Sequence, residues 1–293
     1  RFSVSANPTN GGTVAGGGTF NHGQSCTVTA TANNGYTFTN WTENGNVVST
    51  NASYNFTVTA NRTLVAHFTQ QNYTVNVSAN PADGGTVSGG GTFNYGQSCS
   101  VSATPATGYT FLRWTENGTQ ISTNPSYTFN VTGNRTLVAQ FQLQGFAITV
   151  SANPADGGTV SGGGSYNYGQ DCTVSATANE GYSFINWTEN GNEVSTNPSY
   201  TFNVRGDRTL VANFERQSFE VKASLDPADA GYVTGEGTYY YGDEVTLTVV
   251  CNEDFAFLNW TEDGEVVSED PIYVFNITRT RNLVAHFMNT EGI

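Results

Sequence analysis

Lysine, methionine and charged residues of both signs are scarce in this chain of 293 residues. One lysine (Lys222) and one methionine occur, and charged residues make up 12% of the sequence. Residues 1–217 therefore offer no Schiff-base lysine, no phosphate-binding P-loop lysine and no lysine–asparagine isopeptide crosslink. The net charge of −14 argues against nucleic acid as a partner, because phosphates are bound by Lys and Arg. No apolar run reaches the roughly 18 residues of a membrane-spanning helix, so we expect no membrane insertion.

The four cysteines are too few and too widely spaced for a disulfide scaffold. Cys26, Cys99 and Cys172 follow one another at intervals of 73 residues, and Val245 stands at the same position further on. A cysteine that valine can replace is typical of a small apolar core group, so we predict buried free thiols. Period-2 alternation from Val245 places Cys251 on the same face, and we expect a further inward thiol there. Without a Cys pair or a Cys/His cluster, we expect no metal and no cofactor.

What the chain does have is an uninterrupted repeat of 73 residues. The clearest marker is a tryptophan ladder at Trp41, Trp114, Trp187 and Trp260. A fixed period of this kind indicates a tandem array of one folding unit, and we expect each tryptophan to be a core anchor. The predicted domains are repeat 1 (1–71), repeat 2 (72–144), repeat 3 (145–217), a divergent, acidic repeat 4 (218–288) and a tail (289–293).

Within each unit the pattern is that of short strands and tight turns. Residues 73–79 alternate as a strand, and residues 98–104 carry Cys99, Val101 and Ala103 on one face. Asn117-Gly118 and its counterparts in the other repeats are strong signals for a type I′ hairpin. We count six or seven strands a unit and no helix. The sequence predicts an all-β fold, a linear array of four small β-rich domains, each a sandwich or β-grasp-like.

The aromatic strand at 109–114 does not fit a simple alternation. Tyr109 and Phe111 share one face, whereas Leu112 and Trp114 share the other. Either both faces of this strand are covered, or a bulge switches the faces. The linkers at 69–72, 142–145 and 215–218 are short, which predicts a semi-rigid array.

Three sequence pieces carry a resemblance to a known family. They are Gly-Gly-Thr-Val (84–87), Gly-Tyr-Thr-Phe-Leu-Arg-Trp (108–114) and Arg-Thr-Leu-Val-Ala-Gln-Phe (135–141), with counterparts in all four units. They closely resemble the divergent internalin B-repeat family, bacterial surface repeats related to the Listeria–Bacteroides repeat. The resemblance implies β-rich, grasp-like modules of secreted or cell-wall proteins that serve as stalks or adhesive arrays, with no active site.

Recurring polar and aromatic residues are the remaining site candidates. The glutamates of the Trp-Thr-Glu motif (Glu43, Glu116, Glu189 and Glu262) lack the second recurring carboxylate that glycoside hydrolysis needs, and we expect them at solvated strand ends. The turn aromatics Tyr95, Tyr168 and Tyr241 are the better candidates for ligand contact. The acidic residues of repeat 4 (Asp263, Glu265, Glu269 and Asp270) indicate either a solvated cap or a calcium site. The histidines His22, His67 and His286 do not recur in register as a catalytic site would require.

These observations predict a monomeric, non-enzymatic segment of an extracellular bacterial surface protein. Its expected role is a semi-rigid stalk or adhesin array. The alternative is a multivalent module that binds carbohydrate or protein, on a host or a cell surface, through the exposed turn aromatics, with avidity from repetition.

Overall fold

A computed structural model describes residues 1–290, and all regular structure in that range is β-strand. The chain divides into two compact units, Arg1–Gln144 with repeats 1 and 2, and Gly145–Ile293 with repeats 3 and 4. The all-β prediction with four repeat domains is confirmed. Of the tail predicted at 289–293, residues 291–293 lie outside the described residues.

The first unit holds fifteen strands. Repeat 1 contains β1 (Phe2–Asn7), β2 (Gly12–Ala15), β3 (Ser25–Ala32), β4 (Tyr36–Glu43), β5 (Asn46–Ser49), β6 (Ser53–Thr57) and β7 (Arg62–Gln70). Repeat 2 contains β8 (Asn72–Asn80), β9 (Gly85–Ser88), β10 (Gly91–Asn94), β11 (Ser98–Pro105), β12 (Tyr109–Glu116), β13 (Thr119–Ser122), β14 (Ser126–Asn130) and β15 (Arg135–Leu143).

The second unit repeats the pattern of repeat 2 twice. Repeat 3 contains β16 (Gly145–Asn153), β17 (Gly158–Ser161), β18 (Gly164–Asn167), β19 (Asp171–Ala178), β20 (Tyr182–Glu189), β21 (Asn192–Ser195), β22 (Ser199–Asn203) and β23 (Arg208–Arg216). Repeat 4 contains β24 (Ser218–Asp226), β25 (Gly231–Thr234), β26 (Gly237–Tyr240), β27 (Glu244–Cys251), β28 (Phe255–Glu262), β29 (Glu265–Ser268), β30 (Ile272–Asn276) and β31 (Arg281–Asn289).

Each repeat is a sandwich of two sheets. In repeat 2 a five-stranded mixed sheet has the order β10-β8-β15-β12-β13, and a three-stranded antiparallel sheet has the order β14-β11-β9. The first and last strands of the repeat, β8 and β15, lie side by side and run parallel. In repeat 1 the strand equivalent to β10 is reduced to a single bridge between Phe2 and Gly18, so its mixed sheet has four strands. Every repeat thus has a mixed sheet and an antiparallel sheet.

The core of each repeat lies between the two sheets. In repeat 2, Val75, Trp114 and Leu137 from the mixed sheet meet Cys99 and Val101 from the antiparallel sheet. All four tryptophans are fully buried, with 0% of their surface exposed. The indole N–H of Trp114 donates to the carbonyl of Pro125 at 3.0 Å, which satisfies the polar atom of this large side chain.

A bulge resolves the two-faced aromatic strand. The pairing of β12 with β15 shifts register between Phe111 and Arg113, so Leu112 is an extra residue without a cross-strand partner. Phe111 therefore packs on the core together with Trp114, whereas Leu112 points outwards with 42% of its surface exposed. Plain alternation would place Leu112 on the face of Trp114, and the extra residue reverses that alternation. The bulge alternative is the one that the structure adopts.

The cysteines follow the predicted pattern at three positions of four. Cys26, Cys99 and Cys172 are buried free thiols, and burial raises the pKa of Cys26 and of Cys99. Cys251 is a free thiol but is exposed, so its predicted inward position is wrong. Cys251 is the last residue of β27 and stands opposite Gly231 on β25.

Candidate functional site

Every repeat contains an ion pair between the motif glutamate and an arginine from the last strand, half-buried in repeats 1 to 3 and buried in repeat 4. In repeat 2, Arg135 donates from Nε to Glu116 Oε1 at 3.0 Å and from Nη2 to Glu116 Oε2 at 2.7 Å. The guanidinium lies over the ring of Phe129, with its carbon 4.2 Å from the ring centroid. The equivalent pairs are Glu43 with Arg62, Glu189 with Arg208, and Glu262 with Arg281.

These glutamates do end their strands, but they are ion-paired and largely covered, so the expectation that they are solvated is wrong. The bound arginine lowers the pKa of Glu116. For Glu262, burial acts to raise the pKa, but the charges and hydrogen bonds of Arg281 and Arg279 outweigh it and the pKa is lowered. An ionised carboxylate held by a two-pronged arginine is a structural group and not a proton donor for catalysis. The sequence did contain a signal for this ion pair, since the arginines recur every 73 residues as the glutamates do.

A second recurring feature is a line of hydrogen bonds across the outer face of the mixed sheet. In repeat 2, Asn80 Nδ2 donates to Gln140 Oε1 at 2.8 Å, and Gln140 Nε2 donates to Thr115 Oγ1 at 3.1 Å. In repeat 4 the same three positions hold Asp226, His286 and Thr261.

The repeat 4 residues resemble a catalytic triad in composition, with the His286 ring 3.3 Å from Asp226 and 2.9 Å from Thr261. The central position is His67 in repeat 1 but Gln140 and Asn213 in repeats 2 and 3. Glutamine and asparagine cannot act as a general base. The role that all four repeats share is therefore hydrogen bonding between strands.

Successive repeats are joined by a single residue, which in each case is glutamine. Gln71 is the only residue between β7 and β8, Gln144 lies between β15 and β16, and Gln217 lies between β23 and β24. The linkers are thus shorter than the sequence suggested, because the flanking strands extend into them. Within each compact unit, a one-residue linker leaves little freedom for a hinge between its two repeats.

Backbone hydrogen bonds tie this glutamine to the repeats on both sides. Within the first unit, the N–H of Gln71 donates to the carbonyl of Gly35 in repeat 1 at 2.7 Å, and its own carbonyl accepts from the N–H of Tyr95 in repeat 2 at 2.9 Å. Within the second unit, Gln217 makes the same two bonds to Gly181 (2.8 Å) and Tyr241 (2.9 Å). We call each of these two arrangements a junction.

The predicted ligand tyrosines Tyr95 and Tyr241 are part of these junctions. Each is half-buried and lies against the glycine of the preceding repeat, Gly35 or Gly181. A Cβ at Gly35 would lie 2.2 Å from Tyr95 Cδ1, and one at Gly181 would lie 2.4 Å from Tyr241 Cδ1. Both glycines have a φ of +80°, so the position demands glycine on two grounds.

The junction of repeats 3 and 4 carries additional polar contacts. The hydroxyl of Tyr241 donates to Glu180, and this bond raises the pKa of Tyr241. Arg216 Nη2 donates to the carbonyl of Tyr241 at 2.6 Å and to Asp243 Oδ1 at 3.0 Å. The third candidate, Tyr168, is half-buried in repeat 3, where its ring is 6.4 Å from that of Phe146 and its hydroxyl accepts from Arg205 at 3.0 Å.

The acidic residues of repeat 4 do not converge on one point. Within residues 1–290, no three His, Cys, Asp or Glu side chains come together in a group suited to a metal ion. The backbone N–H of Ile272 donates to Asp270 Oδ1 at 2.9 Å, which uses that carboxylate locally. Nor does the described part of the chain contain a helix of the length and hydropathy needed to cross a membrane.

The repeat unit with its two sheets, its buried tryptophan and its ion pair matches a known family model four times. The model describes the divergent InlB B-repeat domain, and it matches residues 2–72, 75–145, 148–218 and 221–291. The chain belongs to the divergent InlB B-repeat family. The resemblance noted from the sequence is thereby confirmed.

Solved structures show more distant likenesses to this B-repeat chain. The Bacillus anthracis TIE protein is 10% identical with a TM-score of 0.41; the match covers 92% of this chain and 61% of that one. Two B repeat units of the collagen binding protein of Staphylococcus aureus are 11% identical with a TM-score of 0.12, covering 99% of this chain and 98% of the other. The B-repeat chain thus spans less than two thirds of the Bacillus anthracis protein. No curated protein sequence matches it.

Proposed function

We propose that this B-repeat chain is a non-catalytic extracellular segment of a bacterial surface protein, acting as a semi-rigid stalk or adhesin array. The observation that carries the proposal is the junction. Within each compact unit, one glutamine joins the two repeats, its backbone bonds to both, and a tyrosine of the second repeat lies on a glycine of the first. A junction of this kind resists bending between the two repeats that it joins. Resistance to bending is needed by a spacer but not by an enzyme.

The repeated residues support a structural role in the same way. In each repeat the motif glutamate is bound by arginine, and the polar line across the mixed sheet joins its strands. We propose that the units at 1–71, 72–144, 145–217 and 218–288 are the domains of this array.

Small-angle X-ray scattering of the full chain tests the stalk. We expect a pair-distance distribution typical of an elongated particle at every protein concentration. The matched variant replaces Tyr95 and Tyr241 with alanine, which removes the side chains that lie on Gly35 and Gly181 and keeps the linkers. More flexible scattering from this variant is expected. A compact globular profile for the unmodified chain would refute the stalk.

The alternative predicted from the sequence is a multivalent module that binds carbohydrate or protein through Tyr95, Tyr168 and Tyr241. Two of these rings already contact a neighbouring repeat, and the third hydroxyl accepts a hydrogen bond from Arg205. These contacts favour the stalk. Binding of the immobilised chain to a glycan array, lost when Tyr168 is replaced by alanine, would instead favour the alternative.

A further inference from the structure

The outer face of the antiparallel sheet is polar in the first three repeats. In repeat 2 its side chains are serine and threonine, and they hydrogen-bond across the strands: Ser88 to Ser102 at 2.7 Å and Ser100 to Thr128 at 2.6 Å. In repeat 3 Thr173 and Thr201 form the same kind of bond at 2.7 Å. In repeat 1 the amide of Asn55 donates to Thr27 at 2.8 Å.

In repeat 4 the same face is apolar. Tyr232, Val250, Ile272 and Val274 replace the Thr159, Thr177, Ser199 and Thr201 of repeat 3. They are 54%, 38%, 52% and 48% exposed, respectively. The strands and their register are unchanged, so the substitution is one of surface chemistry alone.

The four apolar side chains form one contiguous surface, which we call the β25–β27–β30 face. Tyr232 stands directly opposite Val250 on the neighbouring strand, and Ile272 stands opposite Thr248, two residues before Val250. Side chains at such positions lie about 5 Å apart, or about 7–8 Å on the diagonal. A contiguous exposed apolar patch on an otherwise polar sheet marks an interaction surface.

Carboxylates border this face at both ends of its strands. Glu244 lies on the same side of β27, Glu253 and Asp254 follow that strand, and Glu269 and Asp270 lead into β30. The bases of repeat 4 do not offset them: Lys222 pairs with Glu220, Arg279 and Arg281 share Glu262, and residues 218–293 hold 14 acids against 3 bases, a net charge of −11.

We propose that the β25–β27–β30 face of repeat 4 is a docking surface for a protein partner whose own apolar patch is bordered by lysine and arginine. Charge complementarity selects this partner. A second copy of the chain would bring two acidic borders together, which is unfavourable. An anionic membrane is excluded by the same sign of charge. The proposal is independent of the stalk, since it concerns one face of one repeat.

The test measures binding of the full chain to a labelled synthetic peptide that alternates valine and lysine, by fluorescence anisotropy. The key variant is Tyr232→Thr, Val250→Thr, Ile272→Ser and Val274→Thr, which gives repeat 4 the face of repeat 3. Because repeat 3 folds with those residues, the variant is expected to keep its circular dichroism spectrum. We expect it to bind at least about tenfold more weakly than the unmodified chain.

Two further arms separate the apolar and the charged contributions. Glu269→Thr with Asp270→Asn, again the residues of repeat 3, is expected to weaken binding several-fold and to reduce its dependence on salt. A control peptide that alternates serine and lysine is expected to bind more weakly than the valine peptide.

Three results would each overturn the proposal. The first is equal binding of the valine–lysine peptide by the unmodified chain and the fourfold variant. The second is equal binding of the serine and valine peptides, which would leave charge alone as the cause. The third is dimerisation of the unmodified chain in sedimentation that the fourfold variant lacks, which would assign the face to a second copy.

Discussion

At the scale of single residues, the ion pair of Glu116 with Arg135 is the charged interaction that repeat 2 partly buries. The pKa of Glu116 is lowered by the two-pronged hydrogen bond from Arg135, and burial acts in the opposite direction. A group whose pKa is depressed by folding stabilises the folded state above its unfolded pKa of about 4.3. That stabilisation is lost as the pH falls through the lower, folded value.

We therefore predict that Glu116→Gln destabilises repeat 2 by about 1–2 kcal/mol at neutral pH, because Arg135 loses its charged partner. At a pH below the folded pKa of Glu116 the difference from the unmodified chain should shrink. Hydrogen exchange measured by mass spectrometry resolves repeat 2 from the others and checks both statements. The exposed Glu215→Gln is the control, and equal protection of Glu116→Gln and the unmodified chain at neutral pH would contradict the prediction.

The sequence was informative at this scale where one position could be compared across four copies. The exchange of cysteine for valine at position 245 indicated a buried apolar site, and the thiols at the equivalent positions in repeats 1 to 3 are buried. The partner of Glu116 was missed because Arg135 lies 19 residues away on another strand, and proximity in a sheet depends on a pairing that periodicity alone does not give.

Among the elements, the bulged strand β12 determines which aromatic side chains reach the core of repeat 2. Phe111 lies inside, its ring 6.1 Å from Trp114, and Leu112 lies outside. We predict that Leu112→Thr, which copies Thr39 of repeat 1, changes the free energy of unfolding by less than about 0.5 kcal/mol.

By contrast, Phe111→Ala should cost about 3–5 kcal/mol through loss of buried surface and creation of a cavity. Urea denaturation followed by tryptophan fluorescence measures both variants. Without the bulge, Leu112 would lie in the core and Phe111 outside it. A larger loss of stability for Leu112→Thr than for Phe111→Ala would therefore refute the bulge.

Strands and turns were predictable because their signals are local. Asn44 and Gly45 both have positive φ, 49° and 84°, as the Asn-Gly motif predicts for a type I′ turn. The bulge could be suspected because large apolar residues alternate onto both faces of the strand at 109–114. A strand covered on both faces would give the same pattern, so the sequence could not choose between the two. The parallel pairing of β8 with β15 was not predictable, since it joins the two ends of the repeat and leaves no local signature.

For the molecule as a whole, the two junctions decide whether the two repeats of each compact unit behave as separate bodies or as a coupled pair. Gly181 and Gly191 give a matched pair for a test, because both have a φ of +80° but only Gly181 has a side chain above it. Alanine at either position should cost about 1–2 kcal/mol from the left-handed backbone. At Gly181 the contact with Tyr241 adds a further cost.

We predict that Gly181→Ala destabilises the chain more than Gly191→Ala, and that Tyr241→Ala removes this difference. Urea unfolding of the unmodified chain, Gly181→Ala, Tyr241→Ala and the double variant, analysed as a double-mutant cycle, measures the coupling, and Gly191→Ala is the control. Equal losses for the two glycine variants would show that the tyrosine contact contributes nothing to the junction.

The number of domains could be predicted from the tryptophan ladder alone, since a constant interval admits one explanation. The glutamine linkers could not be assigned a role from their own sequence, because the backbone bonds of Gln71 reach Gly35 and Tyr95 in two different repeats. The apolar face of repeat 4 is likewise visible only after the register aligns Tyr232 with Val250.

The adjacent parallel strands β8 and β15 determine how repeat 2 responds to a pulling force. The chain enters at the beginning of β8 and leaves at the end of β15, and six residues of each strand are paired in register. Tension on the two ends slides these strands past each other, so their hydrogen bonds are loaded together and not opened one after another.

Single-molecule stretching should show four separate ruptures at high force. Unfolding at low force, with the hydrogen bonds opening one after another, would contradict this prediction. We therefore expect a loaded chain to lengthen in discrete steps, one domain at a time.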